Sequence, residues 1–177
     1  MSSVNILLAG FGGQGILFLG KMTAYAGLAD DKQITWLPSY GPEMRGGTAN
    51  CSVCISDELI GSPLVTNPDI LVAMNLPSLE KFIDSVTAGG YVFLDSSMID
   101  KTIQRDDIHV YYIRATKIAE ENNLTGLANM IMLGKMLKET GFCTECAIDQ
   151  ALLKCVPASK KDMIELNKKA IKIGTDL

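Results

Sequence analysis

The feature that most constrains this chain is a glycine-rich turn at residues 10–15, which read Gly-Phe-Gly-Gly-Gln-Gly. It follows an apolar run at residues 4–9 and precedes an apolar stretch at residues 16–28, so the sequence predicts a strand, a tight turn and a helix. Glycine at the spaced positions permits positive φ angles and lets the helix pack closely on the strand. The unpaired N–H groups and the positive end of the helix dipole then favour phosphate or carboxylate. The alternative is a turn that serves packing alone.

Two common nucleotide sites share this glycine spacing, and the sequence fits neither of them. A nicotinamide site needs an Asp or Glu at the end of the second strand, and the strand predicted at residues 34–38 has none. A phosphate-binding loop with the spacing of Gly15 and Lys21 requires Ser or Thr next, where this chain has Met22. We therefore reject the nucleoside triphosphatase interpretation. A free-standing Rossmann-like nucleotide- or flavin-binding protein is retained as the alternative function.

Composition limits the partners and the location that we expect. The 177 residues, of which 47% are hydrophobic, suffice for a single folded domain over residues 1–177. A net charge of -4 argues against a nucleic-acid or anionic-membrane surface. No apolar stretch reaches the roughly 18 residues that a membrane-spanning helix needs, and the apolar start lacks the basic segment of a signal peptide. We expect a cytoplasmic protein with neither nucleic-acid nor membrane partners.

The order of apolar segments predicts the fold class. Strand-like runs occur at residues 4–9, 34–37, 70–75, 91–95 and 109–114, with helical segments between several of them. Runs that are apolar at every position are typical of parallel strands covered on both faces. The sequence therefore predicts an α/β fold with a doubly wound, mostly parallel, Rossmann-like sheet and a helical C-terminal part.

Three local patterns give more detailed expectations. Residues 51–64 comprise a short strand, an acidic turn and another apolar piece, which together predict an inserted β-hairpin. Residues 127–137 are apolar on nearly every side and predict a buried helix. Ser159 and Asp162 resemble a capping box, so a last helix is expected to begin there.

A second informative stretch, residues 38–50, leaves the end of the second predicted strand and contains two prolines and three glycines. Ligands of open α/β sheets bind beyond the carboxyl ends of the strands, so this loop and the glycine turn are expected at one edge. Arg45, followed by two glycines, can hold a phosphate or carboxylate with its planar guanidinium. The alternative is an ion pair with Glu43 or with a partner chain. Asn75, which ends a later strand, is expected to face the same crevice.

Three segments together carry a family resemblance: the glycine turn, the loop at residues 39–49, and residues 129–134, which read Asn-Met-Ile-Met-Leu-Gly. In their order and spacing they resemble the gamma subunit of 2-oxoacid:ferredoxin oxidoreductases along essentially the whole chain. The resemblance implies a heteromeric enzyme that cleaves a 2-oxoacid on thiamine diphosphate, reduces ferredoxin through iron–sulfur clusters and releases an acyl-CoA. It implies alpha and beta subunits, with a delta subunit as a further candidate, that hold the thiamine and the clusters. The gamma subunit would pack against the thiamine-binding chains and help to bind or cover CoA.

The same resemblance narrows the acid and names the site. Pyruvate-type members tend to carry Arg where this chain has Met44, and Ala where it has Gly47, so the chain resembles the 2-oxoglutarate or branched-chain type. We expect 2-oxoglutarate. The isolated chain is expected to be inactive, without catalytic or metal-binding residues. The residues expected to bind the cofactor are Gly10, Gly12, Gly13, Gln14, Gly15, Arg45, Gly46, Gly47 and Asn75.

The cysteines suggest a competing interpretation. Cys51 with Cys54 and Cys143 with Cys146 form two CxxC pairs, a spacing found in zinc and cluster sites. In a strand, residues three apart point to opposite faces, so the first pair cannot converge on a metal. We therefore expect buried cytosolic thiols. His109, the single histidine, leads a predicted strand and is interpreted as an ordinary strand-end residue.

Overall fold

The computed structural model describes residues 3–39 and 48–177, and a six-stranded sheet lies at its centre. The strands are β1 (Ser3–Phe11), β2 (Gln33–Ser39), β3 (Thr48–Ser56), β4 (Ile70–Ala73), β5 (Tyr91–Asp95) and β6 (His109–Ile113). Across the sheet they follow the order β2-β3-β1-β4-β5-β6. β1, β4, β5 and β6 are parallel, whereas β3 is antiparallel to both β1 and β2. The predicted mostly parallel sheet is confirmed.

Helices cover both faces of this sheet. They are α1 (Ile16–Ala29), α2 (Leu76–Phe82), α3 (Ala115–Glu121), α4 (Ala128–Thr140), α5 (Glu145–Cys155) and α6 (Asp162–Asp176). Residues of α1, α4, α5 and α6 share the larger hydrophobic core with Ile6 and Leu8 of β1. Leu79 of α2 lies in a smaller core with Leu7, which points from β1 to the opposite face. This two-sided cover confirms the doubly wound α/β class.

No helix among the described residues is both long enough and apolar enough to span a bilayer.

The hairpin lies elsewhere than residues 51–64. β3 forms a hairpin with the preceding strand, β2. The paired residues run from Ser39 opposite Asn50 to Gln33 opposite Ser56. Residues 57–69 contain no strand; instead, the Val65 N–H donates to Ser52 Oγ at 3.3 Å and fixes this segment against β3. The predicted second arm was wrong because both edges of β3 are already paired, with β1 and β2, so no edge is left for residues 57–69.

The predicted capping box at the last helix was also wrong. Ser159 lies inside a 3₁₀ turn, Ala158–Lys160, which runs directly into α6. The N-cap of α6 is Lys161, which has helical angles (φ -55°, ψ -33°) and makes no side-chain cap hydrogen bond to a described residue. A capping Ser needs an extended backbone, and the 3₁₀ turn that starts after Pro157 leaves no such residue before the helix. The buried helix predicted at residues 127–137 is confirmed as α4.

Candidate functional site

The glycine turn joins β1 to α1 at the carboxyl edge of the sheet. Gly13 has a φ of 97° and Gly15 a φ of 73°, a left-handed conformation that residues with a Cβ rarely adopt. Gly15 is the N-cap of α1. Within the described part of the chain, no side chain caps this helix, and its first turn holds no acidic residue. The turn therefore presents backbone N–H groups at the positive end of the helix dipole, as the sequence predicts.

Gln14 holds this turn to the neighbouring strand. Its Oε1 accepts a hydrogen bond from the Phe11 N–H at 2.6 Å, and its Nε2 donates to the Met74 carbonyl at 2.8 Å. Phe11 ends β1 and Met74 follows β4, so one side chain ties together the ends of two adjacent parallel strands. A Cβ on Gly10 would lie 2.7 Å from Gln14 Oε1, so glycine at position 10 makes room for this bridge.

Asn129 of α4 supports the turn from the other side. Its Nδ2 donates to the Gly15 carbonyl at 3.1 Å, across 114 residues of sequence, and its side chain is buried. A Cβ on Gly15 would overlap the Asn129 amide, so both the positive φ and this contact require glycine. Asn129 is not among the site residues predicted from the sequence, although it begins the helical segment that carries the family resemblance.

Two polar residues end the neighbouring strands at the same edge. Asn75 is the N-cap of α2, and its Oδ1 accepts from the Ser78 N–H at 2.8 Å, while its buried Nδ2 has no partner among the described residues. Asp95 is fully buried and accepts hydrogen bonds from the backbone and hydroxyl of Thr116, and from the Ser97 N–H. Asp95 therefore fixes the start of α3. The rule that strand ends carry site residues would have found it, since it ends β5.

The loop with Arg45, Gly46 and Gly47 lies outside the described residues. Its flanks are described, and the register pairs Phe11 with Thr48 and Asn50 with both Ala9 and Ser39. The chain therefore leaves β2 and re-enters β3 at the edge that holds the glycine turn. β2 contains no carboxylate, as the sequence indicates, so the ribose-binding acid of a nicotinamide site is missing from this strand.

A cavity of about 200 Å³ opens beside the glycine turn. The residues that line it are Gly13, Gln14, Met74, Met98, Thr116, Ala119, Glu120, Thr125, Gly126 and Ala128. Gln14 fixes one wall through Met74, and Asp95 fixes the other through Thr116. In open α/β sheets this crevice, where the chain crosses from one half of the sheet to the other, is the usual ligand site. Among the described lining residues the one charged side chain is Glu120, an acid.

The cysteines of β3 lie apart, as the alternation of strand side chains predicts. Cys51 belongs to the larger core and Cys54 to the smaller one, on the opposite face of the sheet. Burial raises the pKa of the Cys51 thiol to about 12, against a smaller lowering by the Trp36 indole, which donates to its sulfur at 3.0 Å. Burial, with a contribution from Asp30, also raises the pKa of Cys143. Cys51 and Cys143 are therefore poor nucleophiles, because the thiolate is the reactive form. Cys146 is exposed, so the expectation of buried thiols was wrong for this residue.

Lys135 is a buried charge within the helix predicted to be apolar. Its Nζ pairs with Glu139 Oε1 at 2.6 Å and lies 5.3 Å from the centre of the Tyr111 ring. The Tyr111 hydroxyl donates to Glu139 Oε2 at 2.9 Å, and burial followed by this carboxylate raises the pKa of Tyr111 to about 12. The pair with Lys135 lowers the pKa of Glu139. This network ties α4 to β6. The exposed first residue of β6, His109, lies against Tyr91, with the ring centroids 5.0 Å apart and the rings tilted by 31°.

Comparison with known proteins gives a consistent family. Residues 5–177 match the family described as pyruvate ferredoxin/flavodoxin oxidoreductase. Ketoisovalerate oxidoreductase subunit VorA of Methanothermobacter marburgensis is 39% identical over 98% of the chain, which spans 36% of that longer relative. 2-Oxoglutarate synthase subunit KorC of Methanocaldococcus jannaschii is 37% identical, over 93% of the chain and 90% of the relative.

Solved structures share the same architecture. The gamma subunit of a keto/oxoacid ferredoxin oxidoreductase from Geobacter sulfurreducens superposes with a TM-score of 0.83 and 30% identity, over 98% of this chain and 96% of that one. A 2-oxoglutarate:ferredoxin oxidoreductase from Magnetococcus marinus, solved with 2-oxoglutarate, coenzyme A and succinyl-CoA, shares the fold with a TM-score of 0.89 and 21% identity. This chain covers 31% of that longer protein. The sequence match over residues 5–177 and these relatives show that the chain belongs to the pyruvate ferredoxin/flavodoxin oxidoreductase family.

Proposed function

We propose that the chain is the gamma subunit of a 2-oxoacid:ferredoxin oxidoreductase and helps to bind coenzyme A in the assembled enzyme. Such an enzyme converts a 2-oxoacid and CoA to an acyl-CoA and CO₂ while it reduces ferredoxin. Thiamine diphosphate, which supplies the cleavage chemistry, and the iron–sulfur clusters belong to alpha and beta subunits, with a delta subunit as a further candidate. Relatives that are named as subunits of such oxidoreductases support the proposal.

The single observation that carries the CoA assignment is the uncapped start of α1 at the glycine turn. CoA carries several phosphates, and backbone N–H groups at a helix N-terminus stabilise such anions. The turn lies beside a preformed cavity, and the loop that contains Arg45 starts and ends at the same edge. We assign Gly10, Gly12, Gly13, Gln14 and Gly15 to this site on that basis. Arg45, Gly46, Gly47 and Asn75 complete the proposed set.

The potential metal-ligating side chains of this chain support the assignment of the iron–sulfur clusters to other subunits. Among the described residues, no three His, Cys, Asp or Glu side chains are grouped so that they could hold a metal ion. Cys51 and Cys54 lie on opposite faces of the sheet. An iron–sulfur cluster needs converging thiolates, which these positions do not supply. We therefore expect the isolated chain to show no oxidoreductase activity.

For the acid, we propose 2-oxoglutarate. Met44 and Gly47 occupy positions where pyruvate-type members tend to carry Arg and Ala, and the relative KorC is named for 2-oxoglutarate. VorA, which is named for ketoisovalerate, is the competing choice. Rates of ferredoxin reduction by the assembled enzyme with 2-oxoglutarate, 2-ketoisovalerate and pyruvate decide among them. A higher kcat/KM for either of the other acids would refute the proposal.

The CoA assignment is tested by titrating CoA into the complex assembled from co-expressed subunits. Arg45→Ala should weaken the apparent CoA affinity ten- to hundred-fold, because a lost charge-assisted phosphate contact costs about 1.5–3 kcal/mol. Lys138→Ala is the control, since Lys138 is an exposed cation in the last turn of α4, at the end of that helix opposite Asn129. Unchanged CoA affinity with disturbed assembly would place Arg45 in a subunit interface. Failure of the co-expressed chain to join any complex would refute the subunit assignment itself.

A further inference from the structure

The cavity beside the glycine turn has an unexpected charge for a CoA site. Its described lining contains no Lys, Arg or His, and its one ionisable residue is Glu120 of α3. Gln14, Thr116 and Thr125 add neutral amide and hydroxyl groups, while methionine, alanine and glycine provide the rest. A phosphate placed here would meet a like charge without a compensating cation among the described lining residues. The lining therefore disfavours the charged part of a phosphorylated ligand.

Neutral groups with N–H donors suit the same lining. A carboxylate accepts strong hydrogen bonds from N–H groups, and the thioether of Met98, which is about half exposed, offers a polarisable surface to flat or aliphatic groups. Both walls are held in place, because Gln14 donates to the Met74 carbonyl and Asp95 accepts from Thr116. The cavity is therefore preformed, which lowers the cost of binding an uncharged group.

We propose that this cavity receives an uncharged, N–H-bearing part of the ligand, the adenine ring or the pantetheine arm of CoA, and that Glu120 is the residue that selects it. The inference rests on the proposed CoA function and divides the site in two. The phosphates lie outside the cavity, toward the N–H groups at the start of α1. Glu120 accepts a hydrogen bond from the neutral group and repels a misplaced phosphate.

The test is the sign of the change in CoA affinity for Glu120→Gln in the assembled enzyme. If Glu120 accepts from a neutral donor, loss of its charge weakens equilibrium CoA binding by about three- to tenfold, since hydrogen bonds to charged groups exceed neutral ones. If a phosphate occupied the cavity, the same variant would tighten CoA binding. Glu121→Gln is the matched control, because Glu121 is the next residue of α3, is also exposed, and does not line the cavity. Tighter or unchanged binding by Glu120→Gln would overturn the inference.

A cavity-filling variant separates this inference from the proposed function. Thr125→Trp places a large ring at an exposed position of the lining and should weaken CoA binding at least tenfold, whereas Thr66→Trp, at an exposed position outside the cavity, should not. If Thr125→Trp weakens binding but Glu120→Gln tightens it, the site stands and the assignment of the neutral group fails. If CoA affinity is unchanged in all three variants, Thr125→Trp, Glu120→Gln and Arg45→Ala, the proposed role in CoA binding is refuted.

Fragments of CoA identify which neutral group enters. Adenosine 3′,5′-bisphosphate and pantetheine are used as competitors of CoA in the wild-type enzyme and in the Glu120→Gln variant. If adenine occupies the cavity, the variant weakens inhibition by the bisphosphate and leaves inhibition by pantetheine unchanged; if pantetheine occupies it, the pattern reverses. Equal inhibition of both enzymes by both fragments would contradict the proposal.

Discussion

The carboxyl and amino edges of the sheet carry cavities of similar size but use their polar groups differently. At the amino edge, two cavities of about 200 and 280 Å³ meet at Phe142. The acid that lines the larger one, Asp69, accepts hydrogen bonds from the backbone and side chain of Asn5 and from the Thr87 hydroxyl. In the smaller one, Asp30 accepts from the backbone and hydroxyl of Thr144. These carboxylates hold the fold together.

At the carboxyl edge, the hydrogen bonds that stabilise the fold come from side chains behind the cavity. Asp95 is fully buried beneath Thr116, and Gln14 uses both ends of its amide to join two strand ends. The surface itself keeps the uncapped start of α1 and the exposed Glu120. Cavity volume alone therefore does not identify a binding site. What distinguishes the carboxyl edge is polar groups that are positioned by others and remain accessible to a ligand.

The largest expected difference between the two edges is in stability, when one glycine at each edge is replaced by alanine. Gly15→Ala should lower the free energy of unfolding by about 2–4 kcal/mol. The new Cβ would overlap the Asn129 amide, and alanine would also be strained at a positive φ. Gly89→Ala, at a φ of 77° in the amino-edge cavity, has no atom of the described residues within 4 Å of the new Cβ and should cost about 1–2 kcal/mol. Urea unfolding of both variants measures the difference. Equal losses would show that the Asn129 contact contributes nothing.

Replacing the acid that supports each edge should give a smaller difference in the free energy of unfolding. Asp95→Asn should lower the free energy of unfolding by about 1.5–3 kcal/mol, since an amide cannot accept all the hydrogen bonds from Thr116 and Ser97 that the buried carboxylate accepts. Asp69→Asn, at a half-buried position, should cost about 0.5–1.5 kcal/mol. Urea titrations at one pH compare the two variants. A larger loss from Asp69→Asn would mean that the amino edge is the more rigid of the two.

The smallest expected effect is chemical and concerns the thiols near the amino edge. Cys143 lines the smaller cavity there, yet burial raises its pKa, so it should be alkylated much more slowly than the exposed Cys146 at pH 8. Because the thiolate is the reactive form and the pKa is raised, the rate at Cys143 should still rise with pH above the range in which a free thiol is fully ionised. Mass spectrometry of timed iodoacetamide labelling measures both rates. Cys146→Ser serves as the control, and equal rates in the wild type would reveal an open, reactive groove.

The local elements of this fold follow from sequence alone. The glycine turn, the five apolar strands and the opposite directions of Cys51 and Cys54 each depend on a few adjacent residues. Their physical basis is short in range: the steric limits on φ and ψ, and the twofold alternation of side chains along a strand. The sequence therefore predicts the class of the fold and the position of the turn.

The contacts between these elements depend on the tertiary structure. Pairing of β3 with both β1 and β2 displaced the expected hairpin, and a 3₁₀ turn removed Ser159 from its expected capping role. Asn129 reaches Gly15 across 114 residues, and Glu120 comes to line the cavity beside the turn. These contacts depend on how the chain closes on itself in three dimensions. Sequence periodicity carries no record of that closure, because it describes only the near neighbours of each residue.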